Sequence, residues 1–232
     1  MRSSVQAWKL RTLRDYYTRY SVPNGRSWAK AHLRGSTTSL KHLWNNGAKD
    51  PDTFYTEDDV GAAYIGDLTA WHSSGTINAW FSAVVDAASG TTRSILDYGA
   101  GIGTYSLMLA EQGHCVDACE ANSTLREYID WRSTRHNINV NTTPEPLNTT
   151  YDMIVCIDTL EHLSSPEDTL KQFYTLLRPT GMLCATWTFH QSNGEHPMHH
   201  DETRLSAFLT TLNEYFYGPI ANTWPATYLP RS

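Results

Sequence analysis

The stretch Ile95-Leu-Asp-Tyr-Gly-Ala-Gly-Ile-Gly103 decides the fold of this chain of 232 residues. Its apolar beginning is typical of a buried strand, and its three closely spaced glycines are typical of a tight turn before a helix, which we expect to begin at Thr104. Because glycine has no Cβ, the backbone of such a turn can approach a ligand closely. The stretch therefore predicts the first strand, turn and helix of an α/β domain, with a ligand site at the turn.

The chain after residue 90 repeats this alternation of strand and helix. Strands are predicted at 94–98, 115–120, 138–142, 151–158 and 182–189, and helices at 104–112, 123–136 and 166–177. Strands that alternate with helices form parallel sheets with helices on both faces. We therefore expect a doubly wound α/β fold, in which ligands bind beyond the carboxyl ends of the strands, near Asp97, Glu120 and Asp158.

The first 90 residues lack that alternation, and we expect them to form a basic helical cap or lid on a ligand-binding domain at 91–232. Helices are predicted at 5–20 and 76–88, whereas the polar segment 21–60 gives no clear pattern.

Charge divides the chain unevenly. Residues 1–49 carry ten Lys or Arg and one acid, for a charge of +9, whereas the remaining residues carry −15. A segment rich in cationic and aromatic residues suits the phosphates and unstacked bases of nucleic acid. A basic segment that lies on its own acidic domain has the same composition, so both interpretations stay open.

The composition is that of a globular protein, with 40% hydrophobic and 18% charged residues. No run approaches the roughly 18 consecutive apolar residues of a membrane span, and the N-terminus lacks the apolar segment of a signal peptide. We therefore expect a cytoplasmic protein with no membrane partner. The cysteines include no Cys-x-x-Cys pair, and we expect them to be reduced core residues. They are Cys115, Cys119, Cys156 and Cys184.

Two acidic residues indicate what binds at the glycine turn. Asp97 would repel a pyrophosphate, and the spacing Gly-x-Gly-x-Gly differs from the Gly-x-Gly-x-x-Gly of dinucleotide sites. A carboxylate at this position instead suits an ammonium group. Glu120 ends the second strand, 21 residues after Gly99, where a carboxylate can accept hydrogen bonds from both hydroxyls of a ribose. An amino-acid nucleoside would satisfy both acids.

In these motifs the chain resembles the class I S-adenosylmethionine-dependent methyltransferases. Ile95–Gly103 is similar to the first motif of that family, Glu120 to its ribose-binding acid, and 151–163 with 177–183 to its later motifs. The resemblance is good over 94–189. It implies a mostly parallel, seven-stranded, Rossmann-like sheet with S-adenosylmethionine as the cofactor. Toward the end of the chain it implies a last helix and a reversed hairpin, at 202–217, 220–224 and 227–229.

The resemblance also implies roles for single residues. It places Asp97 at the methionine portion of the cofactor, Glu120 at the ribose, and Asp158 at the sulfonium. The residues implied to bind the cofactor are Asp97, Tyr98, Gly99, Ala100, Gly101, Glu120, Ala121, Asp158, Thr159 and Trp71. Trp71 is included because the family often has an aromatic lid over the cofactor. The lid candidates are Tyr64, Trp71 and His72, which could instead pack as ordinary helix residues.

The acceptor side is predicted from two clusters. Asp158-Thr-Leu-Glu161-His162 resembles the Glu/Asp-x-x-Glu-His segment of small-molecule O-methyltransferases, including those of ubiquinone biosynthesis. In this position His162 suits a general base, or it only hydrogen-bonds its own loop. The second cluster, rich in histidine and acid, lies within 189–201 and includes His200. The predicted catalytic residues are Glu161, His162 and His200.

A metal site is the alternative use of these clusters. One histidine of the second cluster could join Glu161 and His162 around a divalent ion, as in the small-RNA 3′-end 2′-O-methyltransferases that this arrangement resembles. Asp158 stands where that group has Glu, and metal-free relatives share the remaining residues. We predict no metal; the second cluster then lines a substrate pocket or is simply exposed.

These observations together predict an enzyme that transfers a methyl group from S-adenosylmethionine to an oxygen or nitrogen of a small molecule. A metal-assisted RNA ribose 2′-O-methyltransferase is one alternative, which the basic aromatic segment favours and the acidic remainder disfavours. A non-catalytic S-adenosylmethionine-binding module and a nicotinamide dehydrogenase are the others.

Overall fold

The computed structural model describes residues 2–21, 27–28, 36–47, 50–75, 77–90, 93–190 and 199–231. The α-helices in these ranges are α1 Arg2–Tyr20, α2 Ser36–Asn46, α3 Pro51–Phe54, α4 Asp58–Ser73, α5 Asn78–Ala88, α6 Thr104–Glu111, α7 Ser123–His136, α8 Pro166–Leu176 and α9 Leu205–Tyr215. The strands are β1 Ser94–Tyr98, β2 Cys115–Cys119, β3 Asn141–Thr143, β4 Tyr151–Cys156, β5 Leu177–Ala185, β6 Phe216–Tyr217 and β7 Ala226–Pro230. Short 3₁₀ segments precede α8 and α9, at Leu160–His162 and Glu202–Arg204.

The strands form one sheet in the order β3-β2-β1-β4-β5-β7-β6. β1 pairs in parallel with β2 on one side and β4 on the other, so that Asp97 lies between Ala118 and Val155. β7 runs antiparallel to β5 and β6. The strand order therefore reverses between β1 and β4, which is where open α/β sheets bind their ligands. The predicted doubly wound, mostly parallel sheet of seven strands is confirmed.

Helices cover both faces of the sheet. On one face, Trp8 of α1 and Phe81 of α5 pack with Ile95 in one apolar cluster. On the other face, Phe173 of α8 packs with Leu96 in a second cluster. Because Ile95 and Leu96 are neighbours in β1, they point to opposite faces of the sheet. Both must be apolar, which explains the continuous apolar run of this strand.

Helix α1 packs into the first of these clusters, where the side chain of Trp8 is completely buried. The Trp8 indole donates a hydrogen bond of 2.8 Å to Glu111 of α6, and Arg11 forms an ion pair with the same carboxylate. These contacts agree with the interpretation of a basic segment that lies on its own acidic domain. The division of the chain near residue 90 stays a prediction.

The structure corrects several predicted boundaries. The fifth strand begins at Leu177, which pairs with Tyr151. The residues that were predicted to be a turn belong to this strand, and a register shift before Met153 accommodates them. The prediction of a strand at 220–224 is wrong, since the pairing strand is β6, Phe216–Tyr217. Burial explains the difference, because Phe216 is 1% exposed and Trp224 is 40% exposed. Helix α4, Asp58–Ser73, was not predicted as a helix.

The four cysteines are free, and three of them are buried as expected. Cys115 is exposed, which contradicts the prediction that it is a core residue, because it is the first residue of β2, before the strand enters the core at Val116. None of the described helices combines the length and the apolar composition that a bilayer-spanning segment needs.

We expect Phe173→Ala to reduce the free energy of unfolding by about 3 to 5 kcal/mol, because the ring is completely buried and its removal leaves a cavity between α8 and the sheet. Lys171→Ala on the same helix is the matched control, since this side chain is 49% exposed and its surface ion pair with Asp168 contributes little to stability. Urea unfolding of both variants measures the difference. Equal unfolding midpoints would contradict the assignment of Phe173 to the core.

Candidate active site

The glycine turn between β1 and α6 adopts a backbone that other residues rarely adopt. Gly99, Gly101 and Gly103 have φ angles of 73°, 55° and 69°. A Cβ on Gly99 would lie 2.3 Å from Oγ1 of Thr159, and a Cβ on Gly101 would lie 2.7 Å from Leu68. Side chains at these positions would therefore collide with neighbouring elements. The turn brings its backbone against the loop after β4 and against α4.

Asp97 lies buried beneath this turn, with 2% of its surface exposed. Ser106 of α6 donates a hydrogen bond to its Oδ2 atom. Burial raises the pKa of the Asp97 carboxyl to about 6, opposed by the Ser106 hydrogen bond, and the nearby charge of Glu120 raises it further. A cation bound beside Asp97 would favour the ionised carboxylate. This position therefore favours a positively charged ligand group.

Glu120 holds the same turn from the end of β2. Its Oε2 accepts a hydrogen bond of 2.8 Å from the backbone N–H of Gly101, and its Oε1 accepts one of 3.0 Å from the N–H of Asn122. Burial raises the pKa of this carboxyl, whereas the two backbone N–H groups oppose the rise. Each carboxylate oxygen has a second lone pair, so Glu120 can also accept hydrogen bonds from a ligand.

The turn, the loop after β4 and the segment from α3 to α4 enclose a cavity of about 360 Å³. This volume lies within the range of small-molecule sites, about 300 to 1,000 Å³. Aromatic and apolar side chains form much of its wall, and none of the described lining residues is Lys or Arg. Its acidic lining residues are Asp52, Asp97, Glu120, Glu145 and Asp158. The cavity therefore favours a ligand that is neutral or cationic.

Of the ten residues predicted to bind the cofactor, nine line this cavity. Trp71 does not, because its ring packs edge-on against Trp80 at a centroid distance of 6.2 Å. Of the other lid candidates, Tyr64 and His72 do line the cavity. Helix α4 is the reason for this difference, since Leu68 and His72 lie on its face toward the cavity and Trp71 lies on the neighbouring face.

Asp158 follows β4 in a strained conformation, with a φ angle of 48°. Its N–H donates to Oγ1 of Thr186 at 2.8 Å, and Thr186 donates to Oδ1 of Asp158 at 3.2 Å. Thr186 thus fixes both the backbone and the side chain of Asp158 at the cavity wall. Burial raises the pKa of the Asp158 carboxyl, opposed by the Thr186 hydrogen bond.

Glu161 lies behind the cavity wall rather than in it, with 1% of its surface exposed. Its Oε2 has no hydrogen-bond partner among the described residues. Burial raises the pKa of this carboxyl, and the charge of Asp158 raises it further. A neutral carboxylic acid at this position is therefore expected near neutral pH.

His162 faces the cavity and contacts a residue that the sequence did not indicate. The hydroxyl of Tyr55, which also lines the cavity, lies 2.5 Å from Nδ1 of His162, and the two rings are 5.0 Å apart. Burial raises the pKa of Tyr55 well above its usual value, so this hydroxyl stays protonated and can donate a hydrogen bond to an unprotonated Nδ1. Tyr55 lies in the segment that gave no sequence pattern, which is why it was missed.

His200 does not reach the cavity. Its backbone N–H donates to the carbonyl of Glu161 at 3.0 Å, and its Nε2–H donates to the carbonyl of Leu163 at 2.5 Å. These contacts brace the loop that carries His162. From the same cluster, the His199 ring packs edge-on against His162 at 4.4 Å, and His190 lies 3.4 Å from Glu202.

No group of three or more potential metal ligands occurs among the residues that the structure describes. Glu195 and His196, which belong to the second predicted cluster, lie outside those residues.

Asn122 connects the cofactor side of the cavity to the segment that carries Tyr55. Its Oδ1 caps α7 by accepting from the N–H of Leu125 at 3.2 Å. Its Nδ2 donates to the carbonyls of Tyr55 and Glu57, each at 2.9 Å. Gly61 of α4 packs so closely that a Cβ there would lie 2.2 Å from Oδ1 of Asn122. The position of Asn122, two residues after Glu120, is the sequence signal that could have indicated it.

Comparison with known proteins gives these residues a family context. A family model of the methyltransferase domain matches residues 74–215, which is more than half of the chain. The ubiquinone biosynthesis O-methyltransferase of Rickettsia akari is 30% identical over 93 residues, which cover 38% of this chain and 37% of the relative. The protein of the same name from Coxiella burnetii is 26% identical over 97 residues, which cover 39% and 42%. The chain thus spans about two fifths of the length of these curated relatives.

Solved structures show the same fold at low sequence identity. PigF with SAH has a TM-score of 0.59 at 16% identity, over 88% of this chain and 69% of that chain. The magnesium protoporphyrin IX methyltransferase of Synechocystis with bound SAM has a TM-score of 0.52 at 15% identity, over 84% and 95%. The PH0226 protein of Pyrococcus horikoshii has a TM-score of 0.54 at 14% identity, over 67% and 89%.

We expect Asn122→Ala to lower the free energy of unfolding by about 1 to 3 kcal/mol, because α7 loses its cap and two partly buried carbonyls lose their donor. Asn213→Ala on α9 is the matched control, since this residue is exposed and should change stability by no more than about 0.5 kcal/mol. Urea unfolding gives both values. If the two variants were equally stable, Asn122 would not hold the segment of Tyr55.

Proposed function

Since this chain belongs to the class I S-adenosylmethionine-dependent methyltransferase family, we propose that it transfers the methyl group of S-adenosylmethionine to an oxygen or nitrogen atom of a small molecule. One observation carries the proposal. The glycine turn, Asp97 and Glu120 meet at the wall of a cavity that also contains the paired side chains of Tyr55 and His162.

The residues present fit this methyl donor. The buried carboxyl of Asp97, whose pKa is raised, suits an ammonium group, and Glu120 has lone pairs for ribose hydroxyls. Gly99 and Gly101 leave the backbone of the turn without side chains, and a Cβ at either position would collide with its neighbours. S-adenosylmethionine supplies an electrophilic methyl group on a sulfonium. Asp158 and Thr159 are proposed to face that sulfonium, because both line the cavity after β4.

The charge of the cavity supports a small acceptor that carries no phosphate. Five acidic residues and no described Lys or Arg line it, so a nucleic acid would be repelled at the reacting atom. Among the cations of α1, Arg11 is already paired with Glu111. An amine or an uncharged hydroxyl compound is therefore the acceptor class that the lining favours.

Tyr55 and His162 are proposed to remove the proton of the acceptor. In this relay the Tyr55 hydroxyl donates a hydrogen bond to Nδ1 of His162, which leaves lone pairs of its oxygen free to accept a proton from the acceptor. As the acceptor loses its proton to Oη of Tyr55, the phenolic proton moves to Nδ1, and His162 becomes the imidazolium. The neutral form of Tyr55 is kept throughout, which its raised pKa favours.

We expect the affinity for S-adenosylhomocysteine to be constant above about pH 7 and to fall up to about tenfold per pH unit well below pH 6, where Asp97 becomes protonated. Only the ionised carboxylate pairs with the ammonium group, so protonation weakens binding. Asp97→Asn should weaken binding at least about thirtyfold and remove this pH dependence. Isothermal titration calorimetry measures both effects.

Asp86→Asn is the control for this experiment, because Asp86 is an exposed carboxylate on α5 and should leave the affinity unchanged. Absence of S-adenosylhomocysteine binding by the wild-type protein would overturn the proposed function. Binding that Asp97→Asn leaves intact would overturn the role of this carboxylate alone.

We expect Tyr55→Phe to reduce kcat at least about a hundredfold and to leave S-adenosylhomocysteine affinity within about twofold, because only the proton-accepting oxygen is lost. His162→Ala should have a similar effect, and the double variant should be no slower than either single variant, since the two groups act on one proton. Transfer of labelled methyl groups to catechol and tyramine measures turnover on a hydroxyl and on an amine.

Tyr217→Phe is the matched control, since this tyrosine is 63% exposed at β6. Additive effects of the Tyr55 and His162 variants would contradict the relay. Tight cofactor binding by the wild-type protein without transfer to any probe would favour a non-catalytic binding module.

A further inference from the structure

A completely buried guanidinium lies directly beneath the glycine turn. It belongs to Arg132 of α7, whose side chain has no exposed surface. Its Nη1 donates to the carbonyl of Ile102, at 2.5 Å, and to Oγ1 of Thr104, at 3.1 Å. Ile102 lies between the last two glycines of the turn, and Thr104 is the first residue of α6. Arg132 therefore holds the turn at the point where its backbone reverses.

The other edge of the same guanidinium contacts α1. Its Nε donates to Oδ2 of Asp15, and its Nη2 donates to Oγ1 of Thr12, each at 2.9 Å. Asp15 is 1% exposed, and Thr12 is completely buried. Arg132 thus contacts both the N-terminal helix and the glycine turn. Its planar guanidinium has enough N–H donors to hydrogen-bond to both at the same time.

Asp15 is the only acid among residues 1–49, and it is the counter-charge of this buried site. Besides Arg132, it pairs with Arg135 at 3.1 Å and with His136 at 2.9 Å. A buried guanidinium that loses its carboxylate partner is an uncompensated charge in a low-dielectric interior. Undocking of α1 would therefore destabilise Arg132 in the position that supports the turn.

The hydrogen-bonded chain continues to the cavity. Nδ1 of His72 lies 3.0 Å from Oγ1 of Thr104, the hydroxyl that also accepts from Arg132. His72 lines the cavity from the end of α4. Burial lowers the pKa of His72 to about 3, and the charge of Arg132 contributes to this, so the imidazole is neutral and adds no positive charge to the cavity.

We propose that Arg132 is a positioning residue that joins docking of α1 to the shape of the glycine turn, so that binding of the methyl donor and docking of α1 stabilise each other. This inference rests on the proposed function, because it takes an S-adenosyl ligand as the molecule bound at the turn. The N-terminal helix then belongs to the donor-binding site although none of its described side chains lines the cavity. By thermodynamic linkage, the factor by which docking of α1 raises the ligand affinity equals the factor by which the ligand favours docking of α1.

A second attachment of α1 provides the control for this idea. Arg11 and Trp8 contact Glu111 at the far end of α6, away from the glycine turn. A purely structural role of α1 predicts that loss of either attachment has a similar effect on the ligand. The proposed coupling predicts that only loss of the Asp15 attachment matters.

Calorimetric titration with S-adenosylhomocysteine of Asp15→Asn and Arg11→Ala tests the coupling. We expect Asp15→Asn to weaken binding at least about tenfold and Arg11→Ala to change it less than about twofold. Equal affinities of Asp15→Asn and the wild type would overturn the inference, as would equal losses in the two variants. Absence of binding by the wild type would instead refute the proposed function.

Hydrogen exchange of the wild-type protein keeps the test independent of any variant that fails to fold. Saturating S-adenosylhomocysteine should slow exchange of the α1 amides together with those of the glycine turn. Protection of the turn without any change in α1 would overturn the inference.

Discussion

The path of the backbone between β1 and α6 is the constraint on which the site depends. Its three glycines have left-handed φ angles, and a Cβ on each would collide with Thr159, Leu68 or Ile129. Those three side chains belong to the loop after β4, to α4 and to α7. Three separate elements therefore pack against one short stretch of backbone. They can approach it closely because the glycines carry no side chains. The cavity lies beside the turn, where these elements meet.

Buried negative charge then decides what the cavity binds. Asp97 lies near the end of β1 and Asp158 follows β4, where the strand order reverses, and Glu120 directly follows β2, the strand next to β1. Burial raises the pKa of all three carboxyls, because each has lost water without gaining a cationic partner in the cavity wall. A cationic ligand would restore the favourable interactions that these groups lack. The same charges would oppose a polyanion, which supports the proposal of an acceptor without phosphate.

The N-terminal helices complete the site from outside the sheet. Asn122 attaches the segment of Tyr55 beside the end of β2, and Arg132 attaches α1 beneath the glycine turn. Both residues lie on or next to α7, so one helix holds both of these attachments. Contacts within the chain account for the single acid of α1, since Asp15 is buried against Arg132, Arg135 and His136.

The sequence alone determined the doubly wound sheet, the ligand site at the glycine turn and the acids at the ends of β1 and β2. These features are local, because apolar periodicity and glycine spacing are written in consecutive residues. The tertiary structure decided that Tyr55 meets His162 across 107 positions of the chain, that Trp71 faces away from the cavity, and that His200 braces a loop. It also decided the pairing of Asp15 with Arg132, which are 117 positions apart. Such contacts depend on how helices pack on the sheet, and no spacing within a single segment encodes that packing.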